Sequence, residues 1–236
     1  MDNAHSPEGF EPRLPDAGAL GLPGPMEPAR GRPTRLRTRR PLRAPSAPAP
    51  AAATPPALPG LTFLPTAVDG AYEITLTPFQ DARGTFGRAF CAETFRARGL
   101  MDRFVHANLS GNPRKGTLRG MHIQDAPRAE AKLVRAVRGR VQDVVVDLRP
   151  ASPTYLRWAS IELSAQAQNS VYVPEGCAHG FLTLEDQCEV FYLVSDVYAP
   201  DLARTYRWDD PAFAIQWQIA PTLISDRDAA AQDYRP

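Results

Sequence analysis

The sequence predicts an all-β domain, a closed antiparallel sandwich or barrel of the jelly-roll kind with a few short helices, preceded by a disordered N-terminal tail. Three observations carry this. Composition breaks near residue 60, short runs rich in β-branched and aromatic residues follow one another beyond it, and a 3.6-residue apolar period is nearly absent from those runs.

The first 60 residues hold 14 of the 25 prolines and eight arginines, with few large apolar residues between them. So little apolar surface cannot offset about 1–2 kcal/mol of backbone entropy per ordered residue, and proline removes hydrogen-bond donors, so this segment is expected to stay disordered. Its cluster Arg30, Arg32, Arg35, Arg37, Arg39, Arg40 and Arg43 contains no acidic residue and reads as a solvated basic stretch. The folded domain is expected over 61–236.

Within that domain the best short helix is Glu93 to Arg98, with Gly99 as its stop. Strands are expected at Thr117 to Gln124, Lys132 to Val137, Val141 to Leu148, Trp158 to Leu163, Val171 to Val173 and Glu189 to Ser195, each bounded by Gly, Pro, Ser or Asp. Their number and spacing suit a two-sheet closed architecture. Trp208 to Asp228, interrupted by Pro211 and Pro221, reads as irregular chain with short helical turns.

Charge and cysteine usage narrow the function classes. Twenty-seven basic against 26 acidic side chains give no electrostatic reason to expect nucleic acid or a membrane as partner. Cys91, Cys177 and Cys188 are too scattered for a disulfide scaffold or a cysteine zinc site. No run approaches the roughly 18 apolar residues of a membrane helix, and no secretory signal precedes the domain, so a cytoplasmic location is expected.

Alternation along Thr117 to Gln124 puts Leu118, Gly120, His122 and Gln124 on one face, and Leu118 marks that face as inward. His122 is then an interior histidine, either a hydrogen-bonded core residue or a catalyst. Lys132, one of only two lysines, shares its strand face with Val134 and Ala136, and either reaches solvent from the strand end or is buried for a purpose. Tyr192 alternates in phase with Val190 and Val194, which suits core packing or an interior hydroxyl. His179 follows the Pro174-Glu-Gly turn at a strand start. Together these four would make a proton-transfer site. No Gly-x-Ser-x-Gly elbow and no glycine-rich phosphate loop is present. Pro174-x-Gly176-x-x-His179 is similar to the second motif of metal-binding cupins. The first motif is half present as His122-Ile123-Gln124 with Glu130 beyond, which offers two imidazoles instead of three.

In order along the chain, the sequence resembles the dTDP-4-dehydrorhamnose 3,5-epimerase family. The motifs are Asp81-Ala-Arg-Gly-Thr-Phe, Gly116-Thr-Leu-Arg-Gly-Met-His-Ile-Gln, Lys132-Leu-Val, Asp143-Val-Val-Val-Asp-Leu-Arg, Val173-Pro-Glu-Gly-Cys-Ala-His-Gly-Phe, Tyr198-Ala-Pro and Ile224-Ser-Asp-Arg-Asp. The resemblance implies a cupin-like jelly roll, a homodimer, a nucleotide-sugar substrate and no metal or organic cofactor. It also implies that His122 is the base beside the sugar's 4-ketone, that Asp228 orients and charges it, that Lys132 with His179 meets the enolate oxygen, and that Tyr192 is the acid on the opposite face. Arg83 and Arg119 match residues that hold the phosphate-bearing part, Tyr198 an aromatic that stacks on the base, and Asn108 a polar substrate contact; Arg227 beside Asp228 is a further phosphate candidate.

Strict alternation puts Arg119 opposite His122, so both line one site only if the strand is bulged, and Gly120 is the natural place. Arg88 and Ala203 stand where the family often has glutamates, and His106 where it has a glutamine. These departures bear on recognition of the nucleotide and leave the sugar chemistry untouched. A 3- or 5-mono-epimerase of a related 4-keto sugar and a metal-dependent cupin enzyme are the alternative readings.

Overall fold

A computed structural model describes residues 60–235. The tail and its arginine cluster lie outside the described residues. In chain order the elements are β1 (Leu61–Pro65), β2 (Tyr72–Leu76), β3 (Phe79–Asp81), β4 (Gly84–Phe86), α1 (Ala92–Arg96), β5 (His106–Asn112), β6 (Thr117–Gln124) and β7 (Lys132–Arg138). They continue with β8 (Arg140–Asp147), β9 (Trp158–Ser164), β10 (Ser170–Val173), β11 (Cys177–Thr183), β12 (Cys188–Val194), β13 (Ala203–Thr205), β14 (Leu223–Ile224) and α2 (Asp226–Ala229).

The strands form two large sheets. One runs β1-β2-β10-β7-β12-β5; the other runs β13-β6-β11-β8-β9, with β14 added in parallel to β6. From β6 to β12 the chain passes repeatedly from one sheet to the other, which is the winding of a jelly roll. The core between the sheets takes Val134, Ala136, Val171 and Val190 from the first and Val141, Val145, Ile161, Leu163 and Phe181 from the second.

The outer faces are covered differently. Phe95 of α1 packs on Leu133 and Tyr172 outside the first sheet. Phe213 and Ile215 of the irregular C-terminal segment cover Met121, Val144, Val146 and Ala178 outside the second. That second cover explains why β8 is valine-rich on both faces.

The six expected strands are present within two residues of their predicted bounds. The helix is displaced to Ala92–Arg96, and Gly99, with φ of +68°, closes the turn beyond it. Two findings differ in kind. Strand β11 is buried on both faces and contains Gly180, so it lacks the period-two signal; β5 is polar, as an edge strand with an open side is. Leu118 does not share a face with His122. It pairs with Leu182 and lies under β14 and the residues leading to α2, so the inward placement of His122 follows from the bulge described below and not from Leu118.

Candidate functional site

The site lies at the junction of the two sheets, in two clefts that share His122, Lys132 and Tyr192. One, about 340 Å³, is also lined by Arg119, His179 and Phe181; the other, about 180 Å³, by Glu130, Tyr198, Arg204 and Arg227.

His122 and Arg119 face the same cleft because β6 is bulged. Against β11, His179 pairs with His122 while Phe181 pairs with Arg119, so three steps on β6 span two on β11. Gly120 sits in the bulge with φ of +134°, and a Cβ there would lie 2.6 Å from the Gly180 Cα. Only glycine at both positions lets the backbones approach so closely. The bulge also turns the Gly120 N–H outward, where it donates to Asp228 Oδ2 at 3.1 Å.

Asp228 belongs to the short helix α2, capped by Ser225, whose hydroxyl accepts from the Asp228 N–H at 3.1 Å. Its Oδ1 lies 2.8 Å from His122 Nε2. Burial pushes the Asp228 carboxyl up, but the bonds from His122 and the Gly120 N–H, with the charges of His122 and Arg227, hold it below the ordinary carboxylate range. An ionised carboxylate only accepts, so the proton of this contact sits on Nε2, and in the neutral imidazole the lone pair is then on Nδ1.

Directly across the strand pair, His179 has the same kind of partner. Its Nε2 lies 3.0 and 2.9 Å from the two oxygens of Asp143, which pairs with Phe181 from β8 and is fully buried. Burial raises the Asp143 pKa, against the opposing charges of His179 and Lys132.

Lys132 is 7% exposed, so it is buried and does not reach solvent from the strand end. Its Nζ lies 3.3 Å from Glu130 Oε1 and 3.5 Å from the His122 carbonyl oxygen. Tyr192 is half-buried one strand away, and its phenol pKa is raised by burial first, then by Glu130, with Arg119 opposing.

The remaining candidates divide. Arg119 lines the larger cleft, its Nε donating to Asn112 Oδ1 at 2.8 Å, and Asn112 is fixed by donating to the Ser110 carbonyl. Tyr198, 60% exposed, and Arg227 stand at the lip of the smaller cleft beside Ala203. Asn108 lies opposite Tyr192 in register on β5, with His106 two residues along on the same face, though neither lines either cleft. Arg83 and Arg88 are not brought to the site of this chain. Arg83, almost wholly exposed, pairs with Asp81 at the tip of the β3–β4 hairpin, and Arg88 follows that hairpin with its guanidinium 3.7 Å from Cys91 Sγ.

Sequence reasoning gave no role to Asp143 or Asn112 and treated Glu130 only as a possible metal ligand. Asp143 does lie on the expected strand Val141 to Leu148 and faces the core, where an inward acid calls for a partner. Among the described residues no group of three or more His, Cys, Asp or Glu side chains is placed to hold a metal ion. None of their helices is long and apolar enough to cross a membrane.

Residues 65–235 match the family described as dTDP-4-dehydrorhamnose 3,5-epimerase. The enzyme of that name from Methanothermobacter thermautotrophicus is 40% identical over 169 residues, covering 70% of this chain and 90% of that protein. That from Mycobacterium tuberculosis is 44% identical over 174 residues, covering 71% and 84%. The crystal structure of the Bacillus anthracis enzyme with TDP and pyrophosphate bound superposes with a TM-score of 0.71 at 33% identity, covering 74% of this chain and all of that one.

Proposed function

We propose, for a chain that belongs to the dTDP-4-dehydrorhamnose 3,5-epimerase family, the reaction of that family: inversion of C3 and C5 of dTDP-4-dehydro-6-deoxy-D-glucose to give dTDP-4-dehydro-L-rhamnose. The observation that carries the reading is that His122, hydrogen-bonded to Asp228, shares both clefts with Tyr192 and Lys132.

The chemistry follows from the ketone. C3 and C5 both flank C4, so loss of a proton from either places charge on the C4 oxygen. His122 Nδ1 takes the proton, and Asp228 stabilises the imidazolium that forms. The electron pair of the C–H bond moves to the ketone oxygen, where the Lys132 ammonium and His179 supply positive charge and a donor. A preorganised donor of this kind contributes about 3–4 kcal/mol. Tyr192 then protonates the same carbon from the other face as the enolate collapses, which inverts the centre and leaves a phenolate. Proton exchange with water returns His122 and Tyr192 to their starting states before the second carbon reacts. The acidity comes from the substrate's own ketone, so the steps use only these side chains.

At the nucleotide end, Arg119 and Arg227 are the phosphate-facing cations of this chain, and Tyr198 at the lip offers a stacking surface. Arg83 and Arg88 keep a phosphate role if the protein is a homodimer whose β3–β4 arm reaches the partner's cleft. Exposed Phe79 and Phe86 on that arm, and exposed Leu109 on edge strand β5, support this reading.

The test is incubation with dTDP-4-dehydro-6-deoxyglucose in D2O, followed by NMR. Deuterium at both C3 and C5 with the L-rhamno product is expected. Exchange at a single carbon would replace the reading with mono-epimerisation, and no exchange would remove it.

A further inference from the structure

The cleft that holds Tyr198 gathers cations. Arg204, Arg227 and Lys132 line it, and Arg119 faces Tyr192 from the neighbouring one. Such a field suits a diphosphate but works against the acid, because nearby positive charge favours phenolate over phenol. Glu130 is the only acidic side chain lining the smaller cleft. Its carboxylate lies 3.3 Å from Lys132 Nζ, with the two side chains 15% and 9% exposed.

The loop before β7 does not leave Glu130 free to swing away. The next residue, Ala131, donates its N–H to Ser195 Oγ at 2.8 Å and accepts from the Ser195 N–H at 3.0 Å. Two residues before it, the Arg128 carbonyl accepts from the Gln124 amide.

We propose that Glu130 is a positioning residue of the epimerase site, holding the Lys132 ammonium toward the ketone oxygen and keeping Tyr192 a phenol among the surrounding cations. The proposal rests on the epimerase reading given above. The charged and titratable groups that share a cleft with Tyr192 are Arg119 and His122 from β6, Lys132 from β7, His179 from β11, Arg204 from β13, Tyr198, Arg227 and Glu130 itself. Of these only Glu130 brings negative charge, and it is the second cause, after burial, of the raised phenol pKa. Its removal therefore lowers that pKa.

The experiment compares wild type with Glu130→Gln and Glu130→Asp. In Glu130→Gln the alkaline limb of kcat is expected to move down by about 0.5 pH unit or more while KM changes less than twofold, and Glu130→Asp should restore much of the shift. An unmoved limb in a folded, active Glu130→Gln overturns the proposal. A second measurement needs no substrate: the phenolate absorbance of each protein, less that of the matching Tyr192→Phe background, should appear at lower pH in Glu130→Gln. Coincident titrations also overturn it. If Glu130→Gln does not fold, Glu130→Asp carries both tests, with a smaller shift of the same sign expected and no shift overturning it. If wild type shows no exchange in D2O the epimerase reading fails, and the absorbance titration still decides the role of Glu130.

Discussion

Two histidines, paired across adjacent strands, each direct Nε2 at an aspartate at nearly equal distances, yet the two pairs are not alike. The His122 side chain is 40% exposed, and at Asp228 the bond and charge of His122, joined by a backbone donor and a neighbouring arginine charge, outweigh burial and keep the carboxylate ionised. Asp143 is sealed beneath His179, and burial favours a proton remaining with the pair. The proposed mechanism needs a free lone pair on the first imidazole and a donor on the second, and the two carboxylate environments suit that division. Under the proposed mechanism, what separates a base from a donor is the surroundings of the carboxylate and not the pair itself.

The largest expected effect tests that difference directly. His122→Ala should lower deuterium exchange at C3 and C5 by at least ~10³-fold, whereas His179→Ala, which removes one of two groups at the oxygen, should cost ~10²-fold and leave the exchange stereochemistry intact. Equal losses, or substantial exchange in a folded His122→Ala, would erase the distinction between the pairs.

Gly120→Ala attacks the geometry behind the first pair alone. With φ at +134° and backbone 2.6 Å from the new Cβ, it should lower stability by roughly 3 kcal/mol in a chemical melt. Any protein that still folds should lose activity, because both the Gly120 N–H bond to Asp228 and the aim of Arg119 depend on the bulge. A fully stable and active Gly120→Ala would show that the bulge is not what joins them.

The smallest effect separates burial from solvation by donors. The Asp147 side chain is as buried as that of Asp143, yet its pKa falls to about 2, because bonds from Arg149, Ser152 and Thr154 outweigh the desolvation that would raise it. Its folded pKa lies below the unfolded one, so its contribution to stability is complete above about pH 4 and is lost as pH falls toward 2. Asp147→Asn should therefore be about 2 kcal/mol less stable than wild type at pH 6, with the gap closing in thermal melts taken down to pH 2. A gap independent of pH would break the argument.

Much of this was legible from the residues. Alternation on short strands put Lys132 and Tyr192 on inner faces, with a packing reading open for each, whereas His122 and Arg119 meet only through the bulge that their conflict of faces called for at Gly120. Leu118 misled, because a buried residue marks an inner face only when the outer face is bare, and here Leu223, Ile224 and α2 cover it. Asp228 came from family resemblance alone, since 106 residues separate it from His122 and no local period links them. Asn112 and the partnership of Asp143 were silent for the same reason: each depends on which strand becomes a neighbour. Arg83 and Arg88 were chosen by motif, and a single chain holds them away from the cleft.

Gln124, at the end of β6, gives its amide hydrogens to the carbonyls of Arg128 and Val197 and takes a hydrogen bond from the Ala199 N–H. One side chain thus clamps the loop leading to Glu130 and the segment bearing Tyr198 to the strand that carries His122. At about 1 kcal/mol net per bond, neither segment moves away from β6 without losing a bond to that amide. The exposed ring of Tyr198 and the carboxylate beside Lys132 thus share one anchor, so a displacement at the proposed nucleobase surface loads the same amide that steadies the proposed proton-transfer residues.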